Sequence, residues 1–140
     1  MAPSTHTDHS ATPLPKKLGV REGSHVLVLG APEGFSLGPL PSGVELRRRA
    51  RGPLDVVVFF TTRLSALERR FGALAETLEP AGRLWVVWPK KASGLDTDLT
   101  FGTVQRIGLE AGLVDNKSAS IDGVFQGVQF VRRLADRPRL

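Results

Sequence analysis

Cysteine and tyrosine are absent from this chain, and methionine occurs once. Without a thiol there is no disulfide framework, no zinc ribbon, no iron–sulfur ligation and no thiol catalysis. Aromatic residues make up only 6%. Both tryptophans, Trp85 and Trp88, stand inside an apolar run where a core is their natural place, which argues against exposed rings that stack on single-stranded nucleic acid. No stretch approaches the roughly 18 apolar residues of a membrane span. The first residues lack the apolar segment of a secretory signal, so the expected address is cytoplasmic. The nucleotide-binding GxxxxGK[ST], the zinc-binding HExxH, a nucleophile elbow, a Ser–His–Asp spacing and an Asn-Pro-Pro-Tyr block are missing as well; Thr61-Thr62-Arg63 stands where that last block would fall.

What remains is 140 residues, the size of one domain, with 41% hydrophobic and 24% charged residues. Such a chain can fold on its own core without metal or disulfide. The net charge is +5, and fourteen of the nineteen cations are arginine. That charge attracts nucleic acid or small anions; it also simply keeps a small domain soluble.

Residues 1–15 hold three prolines, five Ser or Thr and two histidines, without periodicity. They read as a disordered tail, in which His6 and His9 are solvated rather than metal ligands. Residues 16–134 read as a single domain and 135–140 as a polar C-terminal tail.

Within the domain, Ser24 to Gly30 is a short apolar run bounded by Gly23 and Gly30, the mark of a buried strand. Val44 to Ala50 reads as a more exposed strand. Leu54–Phe60 and Leu84–Trp88 are apolar on both faces, as central parallel strands are. Leu64, Leu67, Phe71, Leu74 and Leu78 form one helical stripe, opened by Thr61 or Thr62 and closed by Pro80 and Gly82. A second helix spans Phe101 to Ala111, with Thr100 as N-cap, Leu99 and Val104 as a hydrophobic staple, Val104, Ile107 and Ala111 inward, and Gly112 as the C-terminal stop. Leu113 to Ile121 and Val128 to Arg133 read as strands around a loop at Asp122-Gly123.

Strand–helix–strand units give a parallel sheet. The fold class expected is therefore α/β: a three-layer, Rossmann-like, mostly parallel sheet of about six strands, truncated, with an antiparallel closing hairpin. The segment Leu78-Glu79-Pro80-Ala81-Gly82-Arg83-Leu84 leading into a strand, with that final hairpin, resembles the class I S-adenosylmethionine-dependent methyltransferases. Longer blocks are similar to a small, uncharacterised, chiefly actinobacterial family, a domain of unknown function. They are Pro15 to Gly19, Gly30-Ala31-Pro32-Glu33-Gly34-Phe35, Arg51 to Asp55, Trp88-Pro89-Lys90-Lys91-Ala92-Ser93-Gly94 and Val114-Asp115-Asn116-Lys117. That family often carries tryptophan at the place of Phe125 and cysteine near Ala119. The first resemblance implies a fold and the second implies no activity.

Ligands of open α/β sheets bind beyond the carboxyl ends of the strands. Four stretches belong to that region. Gly30, Glu33 and Gly34 sit in a turn where nucleotide binders carry a glycine-rich loop and a helix N-terminus; here Pro32 removes a backbone donor and no full helix can follow before Pro41. A tight structural turn is the competing reading. Arg47, Arg48 and Arg49 end the second strand, where adenosyl and nicotinamide enzymes place an acid for the ribose hydroxyls. Guanidinium cannot accept a hydrogen bond but can meet phosphate, or simply guard an edge strand. Lys90, Lys91 and Ser93 suit an anion or are solvated. Asn116 and Lys117 add a polar set across the sheet. Asp96 and Asp98 could hold Mg²⁺ through a phosphate or merely open a helix.

No catalytic residue and no metal ligand is assigned. The lead expectation is a non-catalytic binding or regulatory module for a protein partner or a small anionic ligand, without cofactor. The alternatives are a small methyltransferase using S-adenosylmethionine and a basic nucleic-acid-binding protein.

Overall fold

A computed structural model describes residues 12–137; the expectations for His6 and His9 and for residues 138–140 lie outside them. The elements run α1 (Leu14–Leu18), β1 (His25–Leu29), β2 (Glu45–Arg47), β3 (Leu54–Phe60), α2 (Leu64–Glu76), β4 (Leu78–Pro89), α3 (Phe101–Glu110), β5 (Leu113–Ser120) and β6 (Phe125–Arg132). Single 3₁₀ turns follow at Lys91–Ser93 and Leu134–Asp136. The six strands form one sheet in the order β2-β1-β3-β4-β6-β5. β2, β1, β3 and β4 are parallel, and β6 returns antiparallel to both β4 and β5.

The apolar runs are buried on both faces because their side chains alternate between two cores. Val57, Phe59, Leu84, Val86 and Trp88 meet Leu67, Phe71 and Leu74 of α2 and Val104 and Ile107 of α3. Val56, Val58, Phe60, Trp85 and Val87 face the other way, onto Leu18, Val20 and Leu37. This second face is covered by α1 and by an irregular segment, residues 31–44, where no helix forms. Helix α1 is tied down by Trp85, whose indole Nε1 donates to the Leu18 carbonyl at 3.0 Å.

Several boundaries differ from the sequence reading. A short helix spans Leu14–Leu18, with Pro15 and Leu18 buried. The second strand is only Glu45–Arg47, not Val44 to Ala50, and all three residues are exposed at the sheet edge. Helix α2 stops at Glu76, before Pro80. Leu78 already pairs with Leu54, and a register shift between Leu54 and Val56 lets β4 start early. Neither Thr61 nor Thr62 caps α2; Arg63 is its N-cap residue. In α3 Thr100 does form a capping box with Thr103, but Ala111 is exposed at the C-cap. β5 ends at Ser120 rather than Ile121. β6 opens at Phe125, because Asp122 Oδ1 accepts from both Val124 N and Phe125 N at 2.8 Å and closes the hairpin turn.

Candidate functional site

The carboxyl ends of β1, β3 and β4 lie side by side, as the strand order requires. Gly30 turns the chain over the end of β3. Its φ is +72°, and a Cβ there would collide with the Phe60 carbonyl. Phe35 then lays its ring edge-on against Phe60 at 4.8 Å, and Phe60 meets Phe125 at 5.2 Å. A file of aromatic rings thus fills part of the space over the strand ends. Phe35 was not among the sequence candidates; its only signal is a lone aromatic in a glycine- and proline-rich stretch.

Beside this file, between the β1–β2 edge of the sheet and residues 31–40, is a cavity of about 350 Å³. Val28, Ala31, Phe35, Leu37, Leu40 and Leu46 supply apolar walls, and Arg47 is the one charged side chain lining it. Arg47 Nη2 lies 3.5 Å from Glu45 Oε1, and Glu45 Oε2 lies 3.5 Å from His25 Nε2. Arg48 and Arg49 are exposed and make no ion pair with the described residues. Glu33 and Gly34 are exposed on the turn, and Glu33 makes no ion pair with either lysine.

The two lysines diverge. Lys90 Nζ donates to Ser120 Oγ at 2.7 Å and borders a cavity of about 420 Å³ with Ser118 and Gln126. Lys91 borders a separate one of about 410 Å³ with Leu95, Thr97 and Phe101. Ser93 serves the turn itself: its hydroxyl donates to the Lys90 carbonyl at 2.7 Å and accepts from Leu95 N.

Asp96 and Asp98 are absorbed by helix α2. Arg63 Nη2 contacts Asp96 Oδ2 at 2.6 Å, and this bond holds the guanidinium pKa above its ordinary value. Asp98 Oδ1 accepts from Leu64 N at 2.7 Å. Among the described residues no group of three His, Asp or Glu side chains could hold a metal ion.

Asn116 and Lys117 do not join this rim. They lie farther down β5, level with Trp85 and Gln129. Lys117 Nζ donates to the Lys17 carbonyl at 2.8 Å and stands 6.0 Å over the Trp85 ring. Asn116 Oδ1 accepts from Gln129 Nε2 at 2.8 Å.

Several solved structures share this arrangement of strands and helices. A S-adenosylmethionine-dependent methyltransferase from Aquifex aeolicus matches over 93% of this chain and 98% of its own, with a TM-score of 0.55 and 16% identity. The chain has the methyltransferase fold. The pyocyanin biosynthetic protein PhzM matches 91% of this chain and 55% of its own, with a TM-score of 0.58 and 13% identity. Fibrillarin, a pre-rRNA processing protein of Methanococcus jannaschii, matches 87% of this chain and 69% of its own, at 0.56 and 12%. This chain spans about half the length of the magnesium protoporphyrin IX methyltransferase (ChlM) of Synechocystis that it also matches. No family model and no curated protein matches it. No helix among the described residues is long and apolar enough to cross a membrane.

Proposed function

We propose that this chain is a non-catalytic binding module on a methyltransferase-type sheet, and that the cavity between the β1–β2 edge and residues 31–40 takes a small anion with an apolar body, free or displayed by a partner. The observation that carries this reading is the lining of that cavity: apolar walls and a single guanidinium, Arg47, whose carboxylate partner Glu45, 3.5 Å away, does not itself line the cavity.

S-adenosylmethionine fits these residues poorly. Its ribose hydroxyls call for an acceptor at the end of the second strand, and Arg47 offers only donors. Its charged groups call for backbone N–H groups in the first turn; Pro32 has none there, and Phe35 occupies space above that turn. An anion, by contrast, matches the guanidinium fork. Native mass spectrometry of the purified protein tests the reading through a co-purified acid, absent after Arg47→Ala.

The likeness to Aquifex aeolicus methyltransferase over nearly its whole length favours a second reading, a small methyltransferase. A third, nucleic-acid binding, draws on Arg47, Arg48 and Arg49 in sequence at an exposed edge. Affinity for DNA or RNA that falls steeply with salt would favour it.

A further inference from the structure

At the opposite end of the sheet a larger cavity, about 620 Å³, opens between the start of β4 and the loop after α1. Arg21, Arg83 and Arg137 line it together with Asn116 and Gln129. None of the three arginines has a carboxylate within 4.0 Å among the described residues. Asp55 and Glu79 also line the cavity. Asp55 Oδ2 is engaged by His25 N at 2.8 Å, and Glu79 forms no ion pair.

Arg83 is held in place. Its Nη1 donates to Gln129 Oε1 at 3.3 Å. Gln129 is 4% exposed, and its amide is oriented by the bond to Asn116. Gly19 packs against the guanidinium so closely that any Cβ at that position would overlap it. Only one of the five donor hydrogens of Arg83 is thereby used. Burial lowers its pKa first, and the nearby charges of Arg21 and Arg137 lower it further. A half-buried cation beside two like charges is unfavourable unless an anion joins them.

We propose that Arg83, flanked by Arg21 and Arg137, is the anchor of a second binding site, for phosphate or a small phosphomonoester. Guanidinium forks match tetrahedral oxyanions with paired hydrogen bonds. The cavity has room for more than the bare ion, so the organic part of a phosphomonoester can lie along Pro80 and Val131. The site is independent of Arg47, which lies beyond the other ends of the strands. It gives Asn116 a role at one remove, as the residue that orients Gln129.

The test is titration of the intact chain with inorganic phosphate and with ribose 5-phosphate, against chloride at equal ionic strength, read by calorimetry and melting temperature. Saturable binding is expected, weakened at least tenfold by Arg21→Ala, whose side chain makes no bond that folding would miss. Arg83→Met should abolish binding while keeping a cooperative melt, lowered at most by the loss of its one bond to Gln129. Tighter binding of the sugar phosphate than of phosphate identifies the phosphomonoester as the better ligand; equal binding identifies the free ion. The proposal is overturned if neither probe binds in the millimolar range, or if both bind Arg21→Ala and the unmodified chain equally. It is also overturned if only a long oligonucleotide binds, with a steep salt dependence, since that would make the arginines a nucleic-acid surface.

Discussion

Asp98 caps a helix that begins thirty-four residues before it: its Oδ1 accepts the Leu64 N–H at 2.7 Å. The same loop holds Thr62, whose carbonyl accepts from Thr97 Oγ1 at 2.7 Å. The acidic pair of this loop thus joins the start of α2 to the segment leading into α3. Asp98→Ala is expected to destabilise the fold by about 1 kcal/mol, the usual worth of an N-cap acceptor, and Asp98→Asn to retain most of it. Asp96→Ala, which removes only an exposed ion pair, should leave the denaturation midpoint unchanged. Urea unfolding of the three variants checks this.

Two glycines inside helices make opposite predictions. Gly72 of α2 has open space where a side chain would go, so Gly72→Ala should stabilise by up to about 1 kcal/mol through helix propensity. Gly108 of α3 packs directly against the Phe130 ring, with no room for a Cβ. Gly108→Ala should destabilise by about 1–3 kcal/mol despite the better propensity. Thermal melts of both variants, side by side, read the difference in sign.

The fully buried Trp85 reports on the attachment of α1. Trp85→Phe leaves the Leu18 carbonyl without its indole donor and opens a void. A loss of about 2–4 kcal/mol is expected from the unpaired acceptor and the lost volume together. Chemical denaturation measures it, and a loss below about 1 kcal/mol would mean that α1 is held by other contacts.

Sequence alone carried the sheet because Val56–Phe60 and Leu84–Trp88 are uninterrupted apolar runs, and the cores on both faces follow from strand alternation. It placed α3 through Thr100, whose cap is local. It missed α1, since five residues containing Pro15 and two lysines show no helical stripe. It begins the α2 stripe at Leu64, as found, but looks for the cap at Thr61 or Thr62, because the acceptor Asp98 is remote in sequence. For the site, Gly30 and Arg47 stand at or just beyond strand ends, whereas Asn116 and Lys117 lie farther down β5. Their height on β5 depends on its register with β6, which includes an irregularity between Asp115 and Lys117. The Arg21–Arg83–Arg137 cluster joins three distant segments, and nothing in the spacing of the arginines announces it.

Replacing Lys90 and Lys91 together by alanine removes the Lys90–Ser120 contact, which is exposed. The stability change should stay within about 0.5 kcal/mol, as for ordinary surface substitutions. Ligand retained by Arg47 should remain bound, since neither lysine lines that cavity. Loss of the co-purified ligand in the double variant would move the site to the β4 rim.

The most direct measurement is calorimetric titration of the intact chain with S-adenosylmethionine and S-adenosylhomocysteine. With Arg47 in place of a ribose acceptor and Pro32 in the first turn, no saturable heat is predicted at ligand concentrations up to about a millimolar. Micromolar binding of either compound, weakened by substitutions at Gly30 or Arg47, would contradict the account and make this chain a working methyltransferase domain.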